Sequence, residues 1–148
     1  MKRSSLTSLR SLKEGENMGR DYQRVKNNKY ILPRNLYRHT LYVIRDYDRI
    51  KLEYDDMLQL SAVCSDGQPK GSGKSDPTAL TAARIEKYHD IINAVDNAKK
   101  EIPKEYRKGV WQNIVHEAPF PLTAARSTYG LYKSKFVYMV AKHLCLTE

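Results

Sequence analysis

The stretch IPKEYRKGVWQNIVHEAPFPLTAARSTYGLYKSKFVYMVAKHLCL, Ile102 to Leu146, decides how the chain is read. Apolar residues recur in it twice at helical spacing. Tyr106, Val110, Trp111, Ile114 and Val115 mark one side of a helix over Lys104 to His116, and Pro103 opens it. Glu117-Ala118-Pro119-Phe120-Pro121 is the break, since proline lacks the amide that a helix interior needs. A further helix starts near Thr123 or Ser127 and runs to about Leu144. Its wheel gathers Tyr129, Tyr132, Phe136, Val140 and His143 on one face, flanked by Met139 and Leu144; this is the expected core side. Ser127, Leu131, Ser134, Lys135, Tyr138 and Lys142 lie opposite, with Arg126 and Lys133 on one shoulder.

That outer face carries cations and hydroxyls and meets no acid before Glu148. A helix needing only solubility usually mixes signs. Lys and Arg neutralise phosphates and release counterions, while Ser and Thr hydroxyls donate to phosphates or meet base edges. Two helices joined by a short turn, the second with such a face, have the layout of a helix-turn-helix that sets one helix in a DNA groove. The expected DNA-binding residues are Arg126, Ser127, Thr128, Leu131, Lys133, Ser134, Lys135, Tyr138 and Lys142. Gly130 would allow close approach to a backbone, and Leu131 could touch a thymine methyl. A basic surface helix that merely closes a small bundle is the competing interpretation of the same wheel. Trp111 and Phe136 are read as core anchors.

Upstream, the pattern stays helical. Tyr37, Leu41, Ile44, Tyr47, Tyr54 and Leu58 form one stripe over Asn35 to Gln59, with Pro33 just before it. Ile85, Tyr88, Ile92 and Val95 form another over Thr78 to Lys100, with Asp76 as its cap and Pro77 as its first residue. Neither helix can bury its stripe alone, so the two are expected to pack as an antiparallel hairpin. No stretch alternates like a strand, so the fold class is all-α: a long-helix hairpin followed by a compact helix-turn-helix-like region. The expected organisation is a flexible basic arm over 1–30, the hairpin over 31–102 with a long loop at about 61–77, and the DNA-binding region over 103–148. Met18 could be an alternative start.

The charge follows that division. The 148 residues hold 26 Lys and Arg against 17 Asp and Glu, a formal charge of +9. Residues 1–35 have nine basic and three acidic side chains, residues 103–148 seven and three, and residues 36–102 ten and eleven. The middle is a neutral scaffold; the surplus that favours polyanions sits at both ends.

Other signals point to no chemistry. Gly71-Ser72-Gly73-Lys74-Ser75 resembles the end of a phosphate-binding loop, but Gln68 stands where that motif needs glycine, and no strand precedes it. His39, His89, His116 and His143 lack metal-ligand spacing, and Cys64 with Cys145 completes no set. Asp46, Asp48, Glu53, Asp55 and Asp56 spread over several faces of one helix, as a solvated surface does. The chain is therefore expected to be no enzyme and to use no cofactor or metal. Without a signal core or a membrane-length apolar run, a cytoplasmic chain is expected.

A resemblance narrows the function. Leu32-Pro33-Arg34, Tyr54-Asp55-Asp56, Ile102 to Arg107 through Trp111, Pro119-Phe120-Pro121, Arg126-Ser127-Thr128-Tyr129, Lys133 and Lys135-Phe136 together resemble RinA/ArpU-type regulators, which act on late genes of phages and prophages of Gram-positive hosts. The C-terminal part of that family is similar to the DNA-binding region 4 of sigma factors. The resemblance spans roughly residues 30–146. It implies sequence-specific binding to double-stranded DNA and contact with RNA polymerase, and it leaves room for a homodimer. Arg126-Ser127-Thr128 falls where such proteins begin their recognition helix. Phe120 to Ala125 would be a shortened turn, with no glycine. The alternatives are a DNA-packaging protein of small-terminase type, or a protein-interaction module such as a polymerase adaptor.

Overall fold

The computed structural model describes residue 21, residues 23–63 and residues 77–148. The expectations about residues 1–20, Cys64, the Gly71–Ser75 loop and the Asp76 cap lie outside the described residues. Among the described residues five helices follow one another: α1 (Arg34–Arg45), α2 (Tyr47–Val63), α3 (Pro77–Lys100), α4 (Lys104–Val115) and α5 (Arg126–His143). Among the described residues there is no strand.

Prolines set three of the helix starts. Pro33 and Pro103 precede α1 and α4 with φ of −52° and −53°, and Pro77 opens α3, where a missing amide costs nothing. The single helix expected over Asn35 to Gln59 is two. Asp46 sits between them near φ −86°, ψ 0°, although its amide still donates to the Tyr42 carbonyl oxygen at 3.0 Å. No glycine or proline stands at the bend. Its neighbours are held by different partners: Arg45 Nε donates to the Ile114 carbonyl oxygen at the end of α4 (3.0 Å), and Tyr47 Oη donates to Asp96 on α3 (2.8 Å).

α5 is the central helix: α1, α3 and α4 all pack on it. Val95 and Ala98 of α3, Tyr37, Leu41 and Ile44 of α1, and Val110 and Ile114 of α4 surround Tyr129, Phe136, Val137, Val140 and Ala141. The division at residue 103 therefore does not separate two cores; α5 shares one with the helices before it. Thr40 is fully buried and donates to the Leu36 carbonyl oxygen one turn back, which satisfies its hydroxyl inside the helix.

α2 and α3 run antiparallel, since Tyr47 meets Asp96 while Tyr54 stacks on His89. Glu53 ties the two helices further along through Tyr88 Oη (2.8 Å) and Arg84 (3.0 Å). Beyond these contacts the pair runs out from the bundle, and Leu58, Leu60 and Leu80 are exposed. Nearer the core, Lys99 Nζ lies 3.5 Å from the centre of the Trp111 ring and 4.5 Å from that of Tyr47, and Trp111 meets Tyr47 edge-on. Trp111 and Phe136 do anchor the core, Phe136 fully and Trp111 half-buried.

Candidate nucleic-acid interface

The turn between α4 and α5 is built rigidly. Glu117 takes a left-handed conformation (φ 54°), and the Ala118 amide reaches back to the Gln112 carbonyl oxygen at 3.2 Å. Asn113 Nδ2 donates to the Ala118 carbonyl oxygen (2.7 Å). The Phe120 ring stacks on Tyr129, with centroids 5.2 Å apart and planes 13° apart, and the Thr123 and Tyr129 hydroxyls bond at 2.7 Å. Gly109 makes room for this: a β-carbon there would lie 2.7 Å from Tyr129 Cε1 and 2.8 Å from Pro121 Cδ. Tyr106 packs edge-on to Tyr129 and stacks on Tyr132.

α5 thus begins at a fixed place. Ala125 precedes it in extended conformation and offers no side-chain cap, and the first turn holds no acid. Arg126 and Ser127 are exposed, and Thr128 and Leu131 are half-buried.

Further along, the expected outer face is not free, and two assignments are corrected. Lys133 is 4% exposed and Ser134 is 2% exposed. Lys133 belongs to a ridge with Val137 and Ala141 at four-residue steps, and both of these are fully buried. Its amine donates to Asn113 Oδ1 at 2.9 Å. Burial, with the nearby Arg45 charge, lowers its pKa from 10.5 to about 8, against the pull of Asp21 and Glu117. Ser134 lies on the stripe between Ser127, which is exposed, and Tyr138, which is half-buried. The segment 23–32, of which residues 23–30 were expected in a flexible arm, runs along it. Arg24 Nη1 donates to the Ser127 carbonyl oxygen (2.6 Å), and the Tyr30 ring meets Tyr138, centroids 5.6 Å apart. Gln23 clasps the end of this strap, giving its amide to the Leu32 carbonyl oxygen (2.8 Å) and accepting from the Leu32 amide (2.9 Å). Asp21 pairs with Arg45 at 2.7 Å. The Tyr37 hydroxyl is buried and has no hydrogen-bond partner among the described residues; burial, then Asp21, pushes its pKa up.

Of the remaining expected residues, Lys135 and Tyr138 are half-buried, and Lys135 Nζ donates to the Glu101 carbonyl oxygen (3.0 Å). Lys142 is exposed. His143, expected on the core side, instead faces outward and meets Glu101 at 3.2 Å. The structure therefore keeps Arg126, Ser127 and Lys142 at the surface and takes Lys133 and Ser134 out of it.

Sequence reasoning did not single out Arg24, Lys26, Lys29 or Leu122. Lys26 and Lys29 are exposed on the strap, and Leu122 stands fully in solvent at 103% exposure. The basic surplus of residues 1–35 was the available sign of the first three.

Elsewhere, a cleft of about 1070 Å³ opens between α1 and α3, floored by residues 143–146 and lined by Tyr42, Val43, Ile50 and Ile91. Among the described residues, no three His, Cys, Asp or Glu side chains are grouped to hold a metal ion, and no helix is long and apolar enough to cross a membrane. Comparison with known protein families, curated proteins and solved structures returns no match.

Proposed function

We propose that the chain binds duplex DNA and regulates transcription of phage or prophage genes, and that it meets the duplex with the exposed start of α5 and the strap beside it. One observation carries this reading: from Ala118 to Thr147 the sequence has no acidic residue, and the helix that fills this stretch exposes Arg126 and Ser127 at its first turn. Arg24 is fastened to that turn, with Lys26 and Lys29 following it along the strap. In helix-turn-helix proteins the first residues of the recognition helix reach base edges, so a buried middle is compatible with this use. Phosphate contacts by the strap cations would supply affinity through counterion release. The transcriptional role and the phage setting rest on the resemblance to RinA/ArpU-type regulators.

The test is equilibrium binding of the full chain to a pool of random-sequence duplex DNA at several salt concentrations. Wild type should bind at physiological salt and enrich particular sequences. Arg126→Ala and Lys29→Ala should each lower the salt slope by about one unit, the value for one lost phosphate contact. No binding at physiological salt would overturn the reading.

A second reading draws on the α1–α3 cleft, which could take a protein partner such as RNA polymerase. A packaging protein of small-terminase type is separated from both by solution mass and by unselective recovery of DNA.

A further inference from the structure

We propose that Leu122 is a base-reading side chain that packs on a thymine methyl group in the major groove; this rests on the DNA reading above. Among the described residues no other large hydrophobic is so exposed: Leu60 and Leu80, next in order, stand at 66% against 103%. A single exposed leucine is ordinary on a mobile loop. This one is held out by a turn that is fixed on both sides. Pro121 sits against Gly109 with no space for a β-carbon between them, and Thr123 is bonded to the buried Tyr129 hydroxyl. Phe120, two residues before, is stacked on the Tyr129 ring. The turn packs Phe120 and Ala124, half-buried, against the core and leaves Leu122 in solvent.

The surroundings choose the partner. Leu122 lies four residues before Arg126, in a thirty-residue stretch without a carboxylate, and Arg24 bonds to Ser127 in the first turn of α5. An exposed apolar tip four residues before an exposed arginine, in a stretch without acids, suits a polyanion that carries isolated apolar features. In the major groove that feature is the thymine 5-methyl group, the only carbon substituent displayed there by the bases. The turn precedes the helix whose first residues would enter that groove, so Leu122 comes in beside Arg126.

The experiment uses the full chain and the duplex most enriched from the random pool. Each thymine is replaced in turn by deoxyuridine, which lacks only the methyl. One or two replacements should weaken wild-type binding about fourfold, the worth of one buried carbon group. Leu122→Ala should bind the thymine duplex about fourfold more weakly than wild type and should not distinguish uracil from thymine at those positions. Its melting temperature should match wild type, since the side chain touches nothing. Wild-type affinity in Leu122→Ala, or the same uracil sensitivity in both proteins, overturns the proposal and leaves DNA binding standing. Unselective recovery removes base reading, and this proposal with it, but not DNA affinity. Failure of wild type to bind any duplex sinks the DNA reading itself.

Discussion

Arg24 and Ser127, 103 positions apart in the chain, are joined by a 2.6 Å hydrogen bond from guanidinium to carbonyl oxygen. The bond lays residues 23–32 along the stripe of α5 that would otherwise be its outer face. Tyr30 continues the cover as far as Tyr138, and Gln23 closes it on Leu32.

Gln23→Ala removes both bonds of that clasp and leaves the buried Leu32 amide without a partner. The expected cost is about 1–3 kcal/mol, the usual penalty for an unsatisfied buried group. Amide exchange at Leu32 should speed up strongly while exchange at Val137 changes little. Unchanged protection at Leu32 would show that the clasp does not hold the strap.

Gly109→Ala and Gly130→Ala should move stability in opposite directions. Both gain about 1 kcal/mol of helix propensity. At Gly109 the new methyl meets Tyr129 and Pro121 at 2.7 and 2.8 Å, an overpacking that costs about 1–3 kcal/mol and distorts the turn. At Gly130 nothing lies within 4 Å, so the gain is kept. Thermal unfolding of the two variants reads the signs directly.

Lys133 makes stability rise with pH. Its folded pKa of about 8 lies below its ordinary 10.5, so the unfolded chain holds the extra proton between these values. Stability should therefore grow from about pH 8 upward, and the full window is worth roughly 3 kcal/mol. Lys99, lowered by burial, adds in the same sense. Above pH 10 the buried Tyr37 and Tyr47, whose pKa values are raised, reverse the trend, because only the unfolded chain loses their protons. Urea titrations from pH 7 to 10 should show the rise, and Lys133→Met should flatten most of it. An identical pH profile in the variant would remove Lys133 as the cause.

Cys145→Gly should stabilise the chain by about 0.5–1 kcal/mol. Cys145 follows the Leu144 cap of α5 at φ 56°, with its amide on the Lys142 carbonyl oxygen (3.0 Å) and the Leu146 amide on that of Ala141 (2.9 Å). Glycine takes that conformation without the β-carbon clash. Unfolding under reducing conditions measures the gain; a loss would mean that the thiol packs usefully.

Much of this architecture could be read from residue order. Pro33, Pro77 and Pro103 marked helix starts, and Tyr37, Leu41, Ile44, Val95, Val110 and Ile114 fell on the buried stripes that their spacing assigned. The break at Asp46 was not legible: no glycine or proline marks it, and its neighbours Arg45 and Tyr47 bond to partners far along the chain. The strap was not legible either: it is held by side-chain bonds to backbone, which leave no periodic trace. The wheel of α5 misled because it assumed one inner face. Val137 and Ala141, following Lys133 at four-residue steps, were the sign of a second, and apolar residues spread around a helix indicate burial on several sides. The acid-free stretch was plain in the sequence; that a leucine projects at its start depends on Gly109 and Pro121 meeting, which only the fold reveals.

Because α1, α3 and α4 all lean on α5, a chain without α5 lacks the surface on which each of them packs. On the ribosome α1, α3 and α4 emerge with the sides that pack on α5 unmatched, and these sides are covered only after α5 has left the exit tunnel. A stop codon ahead of Phe136 is expected to leave a chain that proteases clear at once. Damage within α5 is thus expected to remove the whole bundle instead of one helix from it.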